Sequence, residues 1–223
     1  MPPLDLIAWL LVGVWAILVV IHEIWLRRAD WPLLASSAVL VLLAWYGYAL
    51  AESDVSVRYA GFIAAGMTMG LIGDLYMAKL LPAPARELAG MIAFGLCHVF
   101  YITAVVTYAP VGWLAWLLWV ILGTVIAYLV VVRTDAPTIL RRAAFGYALL
   151  LSSTAGVTTG LALQRPIFTG LALGGVLFLI SDTFIAIDLY NKHRLPAISS
   201  LIWLTYGPAQ ALIVASIWAT FQP

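Results

Sequence analysis

The sequence predicts an all-α integral membrane bundle of eight transmembrane helices, a single domain over residues 1–223 formed by two parallel four-helix repeats. Three observations predict it. Only 9% of the residues are charged and 65% are apolar, with a mean hydropathy of +1.06. Soluble domains carry about 25% charged residues, so this chain has too little polar surface to face water on all sides. Apolar runs of about 20 residues, the length that crosses a bilayer, recur eight times, and basic residues crowd onto alternate connections between them.

The runs cover about 4–26, 32–51, 57–80, 87–108, 111–132, 139–163, 166–187 and 198–221. The first lacks a basic leader and is long enough to span, so it reads as a retained helix rather than a cleaved signal. Arg27-Arg28-Ala29-Asp30 ahead of Pro32 separates it from the second. Pro82 and Pro84 follow the third, Pro110-Val111-Gly112 the fourth, Asp135-Ala136-Pro137 the fifth, and Asn191 to Pro196 the seventh. The fifth carries Trp113, Trp116 and Trp119, the composition of an interfacial belt. No break holds a soluble domain, so any chemistry falls to the helices.

Arg27, Arg28, Lys79, Arg86, Arg133, Arg141, Arg142, Lys192 and Arg194 occupy the odd-numbered connections, and Arg58 and Arg165 the even ones. That bias places the odd connections in the cytoplasm and both termini outside, in a multi-pass protein of the bacterial inner membrane. A repeat is visible as well. Leu71-Ile72-Gly73-Asp74-Leu75-Tyr76-Met77-Ala78 matches Leu179-Ile180-Ser181-Asp182-Thr183-Phe184-Ile185-Ala186 at an offset of 108, which also carries Leu4 onto Gly112 and Pro32 onto Leu140, the starts of helices. Repeats of four helices, 1–108 and 109–223, share one orientation about an axis along the membrane normal.

Several function classes are excluded. A net charge of +1 without a basic run gives no grip on a phosphate backbone, so no nucleic-acid partner is expected. Cys97 is the only cysteine, which excludes an intrachain disulfide or a thiolate cluster. The three histidines lack the i, i+4 ligand spacing, so neither metal nor cofactor is expected. Both lysines, Lys79 and Lys192, lie at helix ends, which excludes a retinal Schiff base.

An ionisable residue inside a membrane helix costs about 2.5–3.5 kcal/mol by insertion scales and calls for a reason. Asp74, His98 and Asp182 are such residues. Both aspartates fall roughly 9 Å from the cytoplasmic ends of their helices. Two carboxyls meeting at that depth about the repeat axis would not both ionise readily, which gives a general acid beside a carboxylate. Tyr101 shares a face with His98, and Gln210 with Tyr206; Pro208 between the latter pair frees a backbone carbonyl. These four are expected to line one polar pocket with the aspartates. His22 and Glu23, near an interface, read as solvated or snorkelling, and Asp188, at the end of the seventh helix, as solvated. Ser152, Ser153, Thr154, Thr158 and Thr159 read as helix-packing residues, without a nucleophile elbow.

Gly73-Asp74, the run from Phe94 through His98 to Ile102, Gly175 through Ser181-Asp182, and Thr205-Tyr206-Gly207-Pro208-Ala209-Gln210 together resemble the signature segments of the YhhN-like lysoplasmalogenase family, over nearly the whole chain. One departure stands out: Trp31 precedes Pro32 where family members often carry lysine. The resemblance implies hydrolysis of the vinyl-ether bond of a lysophospholipid, a lysoplasmalogen, to a fatty aldehyde and a glycerophosphoethanolamine or glycerophosphocholine. Asp74 and Asp182 would be catalytic, with His98, Tyr101, Tyr206, Gln210 and Ser181 at the substrate and Lys79, Arg86, Arg141 or Arg142 at the phosphate. Membrane lipids are then the surrounding partners. Two other classes also use paired membrane aspartates: an intramembrane aspartyl protease, whose Gly-x-Gly-Asp spacing and Pro-Ala-Leu are missing here, and a proton-coupled transporter.

Overall fold

The computed structural model describes residues 5–25, 31–134, 137–190 and 198–221, which form eight α-helices and no strand. They are α1 (Leu6–Trp25), α2 (Trp31–Ala49), α3 (Asp54–Met77), α4 (Arg86–Tyr108), α5 (Trp113–Ala127), α6 (Thr138–Gln164), α7 (Thr169–Tyr190) and α8 (Ile198–Ala215). A π-helical turn, Tyr128–Val132, prolongs α5, and 3-10 turns precede α7 and follow α8. Arg27, Arg28, Lys192 and Arg194, which carry part of the orientation argument, lie outside the described residues, as does the side chain of Glu23.

By length and composition seven of the helices can cross a membrane, and the chain is a multi-pass membrane protein. The other, α1, runs over Leu6–Trp25, and its described apolar stretch is Leu6–His22. His22 is also buried, at 4% exposure, so the solvated reading does not hold for it. Asp188 lies exposed in the last turn of α7.

Each helix of the series α2, α3, α4, α6, α7, α8 packs against the next, and α8 packs back on α2. The six close into a ring. Outside it, α1 lies on α2 and α5 on α6. Their outward faces are apolar and exposed: Leu6, Trp9 and Ile17 on α1, Leu114, Leu118 and Ile121 on α5. Such faces suit hydrocarbon as solvent, whereas water would penalise them by about 25 cal/mol per Å².

Small residues let the ring close. A Cβ at Gly66 of α3 would stand 2.4 Å from the Tyr101 ring and 3.1 Å from the Cys97 carbonyl of α4. At Gly174 of α7 it would stand 2.9 Å from the Ala209 carbonyl of α8. Without hydrophobic pressure between helices in lipid, such close approach is what holds them. Local signals fix the ends. Ser53 caps α3 by accepting from the Ser56 amide at 3.1 Å. Asp5 accepts from the Ala8 amide at 2.9 Å and from the Tyr46 hydroxyl of α2, which holds its carboxyl below the usual range and fastens α1 to the ring.

The end of α3 is unusual. Lys79 has φ 63° and is the only non-glycine residue with positive φ among those described. Its amide donates to Tyr76 O and that of Leu80 to Leu75 O, both at 3.0 Å, the pattern of a Schellman cap whose left-handed position normally holds glycine or asparagine. A side chain there costs about 1–2 kcal/mol. A cation near the helix C-terminus returns only about 0.3–1 kcal/mol, so the dipole does not account for the lysine.

Candidate active site

Every helix of the ring sends a polar side chain inward. From α3 comes Asp74, 7% exposed. The Ser37 hydroxyl of α2 donates to its Oδ2 at 2.7 Å, and the Tyr206 hydroxyl of α8 faces the same carboxyl less closely. Tyr206 is held in turn. It accepts from Gln210 Nε2 at 3.1 Å, one turn along α8, while Gln210 Oε1 accepts from the Tyr101 hydroxyl of α4 at 2.7 Å. The line of donors runs Tyr101 to Gln210 to Tyr206 and ends at Asp74. It fits because Gly70 has no side chain: a Cβ there would stand 2.8 Å from Gln210 Nε2.

Asp182, from α7, is half-buried and accepts from the Tyr147 hydroxyl of α6. Above Tyr147 lies His98, fully buried, with ring centroids 5.8 Å apart. His98 Nδ1 meets Thr154 Oγ1 of α6 at 3.0 Å, and that hydroxyl lies 3.1 Å from Leu150 O, to which it donates. The Thr154 hydroxyl thus joins the His98 ring to the Leu150 carbonyl, and His98 Nε2 is buried without a hydrogen-bond partner.

The two carboxyls lie within electrostatic range of one another, but no hydrogen bond joins them. The expectation that they meet face to face and share a proton is corrected accordingly: each has hydroxyl donors of its own. Aromatic rings join their surroundings. Phe178 of α7 packs edge-on to His98 at 4.5 Å and to Tyr206 at 5.3 Å, and Phe94 of α4 packs on Phe178 at 6.4 Å and on Tyr206 at 6.2 Å. Each carboxyl borders its own cavity. That of Asp74, about 160 Å³, is lined by Leu34, Met77, Ala78 and Trp203. That of Asp182, about 80 Å³, runs between α5, α6 and α7 past Gly123, Tyr147, Ala148 and Leu179, with almost wholly apolar walls.

Of the residues singled out in the sequence, Asp74, Tyr101, Tyr206 and Gln210 come together in one hydrogen-bonded line, and His98 lies on the Asp182 side of it. Ser181 does not join them. Its hydroxyl is fully buried and donates to the Ile202 carbonyl at 3.1 Å, a joint between α7 and α8. Thr154, read as a packing residue, also meets His98 Nδ1 at 3.0 Å. Ser37 and Tyr147, which hold the two carboxyls, were not foreseen. For Ser37 a signal existed: it lies six residues beyond the start of α2, roughly 9 Å from that helix end, the depth expected of Asp74 from the end of its own helix.

No match to the chain was found among curated proteins or among solved structures. The model of the YhhN family matches residues 31–217, a stretch that holds the whole six-helix ring and both aspartates, and the chain belongs to that family.

Proposed function

We propose that the protein is a lysoplasmalogenase, an ether-bond hydrolase that cleaves a vinyl ether with Asp74 and Asp182 and no metal or redox cofactor. The observation that carries this reading is a pair of carboxyls in one helical ring, within electrostatic range, each opening on a separate cavity. A lysoplasmalogen has its scissile bond where a polar glycerol meets a hydrocarbon chain. The Asp74 cavity, bordered by a carboxyl that the Ser37 and Tyr206 hydroxyls face, suits the glycerol end. The apolar Asp182 cavity suits the alkenyl chain. The bond then falls between the carboxyls, and Phe94, Phe178 and Tyr206 must turn aside to admit it.

The chemistry asks for little else. A carboxylic acid adds its proton to the outer vinyl carbon, leaving an oxocarbenium ion shared by the inner carbon and the ether oxygen. The second carboxylate balances that cation, as one does in glycoside cleavage. Water adds to the inner carbon and loses a proton to a base. The resulting hemiacetal then collapses, its ether oxygen leaving as the glycerol hydroxyl and its carbon as the aldehyde. In this reading the Tyr206 hydroxyl, beside Asp74, holds that water. The positive-inside bias puts the active site toward the cytoplasmic leaflet and both termini outside.

The proposed repeat has support in the packing. Under it α4 beside α6 corresponds to α8 beside α2, and both contacts are present in the ring.

The test is aldehyde release by the purified chain from 1-alkenyl, 1-alkyl and 1-acyl lysophospholipids. Aldehyde is expected from the first alone. No aldehyde from any vinyl-ether lipid, with flux of solute into sealed vesicles instead, would favour a transporter; cleavage of peptides would favour a protease.

A further inference from the structure

We propose that Lys79 is a phosphate-binding residue at the mouth of the Asp74 cavity, a site for the phosphodiester head group of a lysophospholipid. This rests on the reading of the Asp74 cavity as the glycerol pocket. Three observations lead to it. Ala78, the last wall residue along α3, is directly followed by Lys79. The lysine is exposed and held in the left-handed region by the two cap hydrogen bonds, a conformation that glycine or asparagine would adopt at lower cost. A costly backbone state retained at the rim of a cavity is the pattern of a functional constraint. Lys79 also stands five residues beyond Asp74 and two beyond the end of α3, so about 4.5 Å of helix rise and the cap residue Ala78 separate them. The glycerol that joins a lysophospholipid phosphate to its ether oxygen spans roughly five single bonds, a comparable length.

These distances give the cavity a polarity. The phosphate sits at the cytoplasmic rim against the ammonium, the glycerol runs inward, and the ether oxygen arrives at the level of the Asp74 carboxyl. Free phosphate offers the same chemistry to a lysine, so the probes must separate the two sources.

Binding to the detergent-purified full chain is measured for a 1-O-alkyl lysophosphatidylethanolamine, which lacks the vinyl bond and is not turned over, for a 1-O-alkylglycerol of the same chain, and for inorganic phosphate. Lys79→Gly removes the ammonium while suiting the left-handed backbone, so its melting temperature without ligand should rise. The wild-type chain is expected to bind the phosphate-bearing ether lipid about tenfold more tightly than the alkylglycerol, the scale of one charged contact. Lys79→Gly should lose that preference and Lys79→Arg should keep it. Equal preference in wild type and Lys79→Gly overturns the proposal. So does a response of the wild type to inorganic phosphate that matches the ether lipid, since the site would then be one for the free ion. Because no turnover is read, failure of the hydrolase reading leaves this result standing, and the reverse.

Discussion

The surroundings of Asp74 and Asp182 differ more than their matching sequence segments suggest. Asp74 is enclosed, with a hydroxyl from α2, another from α8, and a line of side-chain donors behind the second. Asp182 has one hydroxyl, that of Tyr147, and an apolar cavity. The proposed offset of 108 shows where the two walls part. It carries His98 onto Tyr206 and Gly70 onto Phe178. Where α3 has Gly70, the Gln210 amide and Tyr206 hydroxyl close in on Asp74. Where α7 has Phe178, a ring fills the space and packs between His98 and Tyr206. One wall thereby surrounds its carboxyl with hydrogen-bond donors, and the other sets its carboxyl beside hydrocarbon.

The largest expected effect comes from the carboxyls themselves. Asp74→Asn and Asp182→Asn should each lower aldehyde release by about 10²–10⁴-fold, the range for a general acid or base. The double variant should be little worse than either, because groups that act as a unit are not additive. If one single variant keeps near-full activity while the other loses it, the walls are not partners, and the chemistry belongs to one cavity.

A smaller effect should separate the walls. Tyr147→Phe removes the sole hydroxyl on Asp182, whereas Ser37→Ala leaves Asp74 the Tyr206 hydroxyl. A hydrogen bond to a charged group contributes about 1.5–3 kcal/mol, so Tyr147→Phe should slow turnover roughly 10–100-fold and Ser37→Ala by much less. Turnover rates of the two, compared with their melting temperatures, check this. The reverse order would show that Asp74 depends on Ser37 and that the Tyr206 contact carries little.

The helices were legible in the sequence because prolines, glycines and charge pairs interrupt apolar runs, and their ends moved by a few residues. The Ser53 cap starts α3 at Asp54 rather than 57, and α7 runs on to Tyr190 rather than 187. Asp74 and Asp182 were legible because a carboxyl in a membrane helix demands a reason. Tyr147, Ser37 and Thr154 were not, since hydroxyls are ordinary in such helices and bond their own carbonyls, as Thr103 and Thr124 do. Nor did periodicity reveal the ring. In lipid the outward face is as apolar as the core, so the amphipathic stripe that orients a soluble helix is missing. What distinguished inside from outside was residue size, and that signal lay in the glycines.

The glycines give the smallest effect and test whether the two halves close alike. At Gly66 and Gly174 an added methyl meets a backbone carbonyl of the next helix, α4 in one half and α8 in the other, and a carbonyl cannot rotate away as a side chain can. Overpacking of this kind costs about 1–3 kcal/mol, while alanine in a helix returns at most about 1 kcal/mol. Gly66→Ala and Gly174→Ala should therefore both lower the melting temperature. Gly146 of α6 has nothing within 4 Å of its Cβ position, so Gly146→Ala keeps the propensity gain and should raise it. A loss at Gly66 without one at Gly174 would mean that the α3–α4 pair is the rigid half and α7–α8 yields, which would place the motion that admits substrate on the Asp182 side.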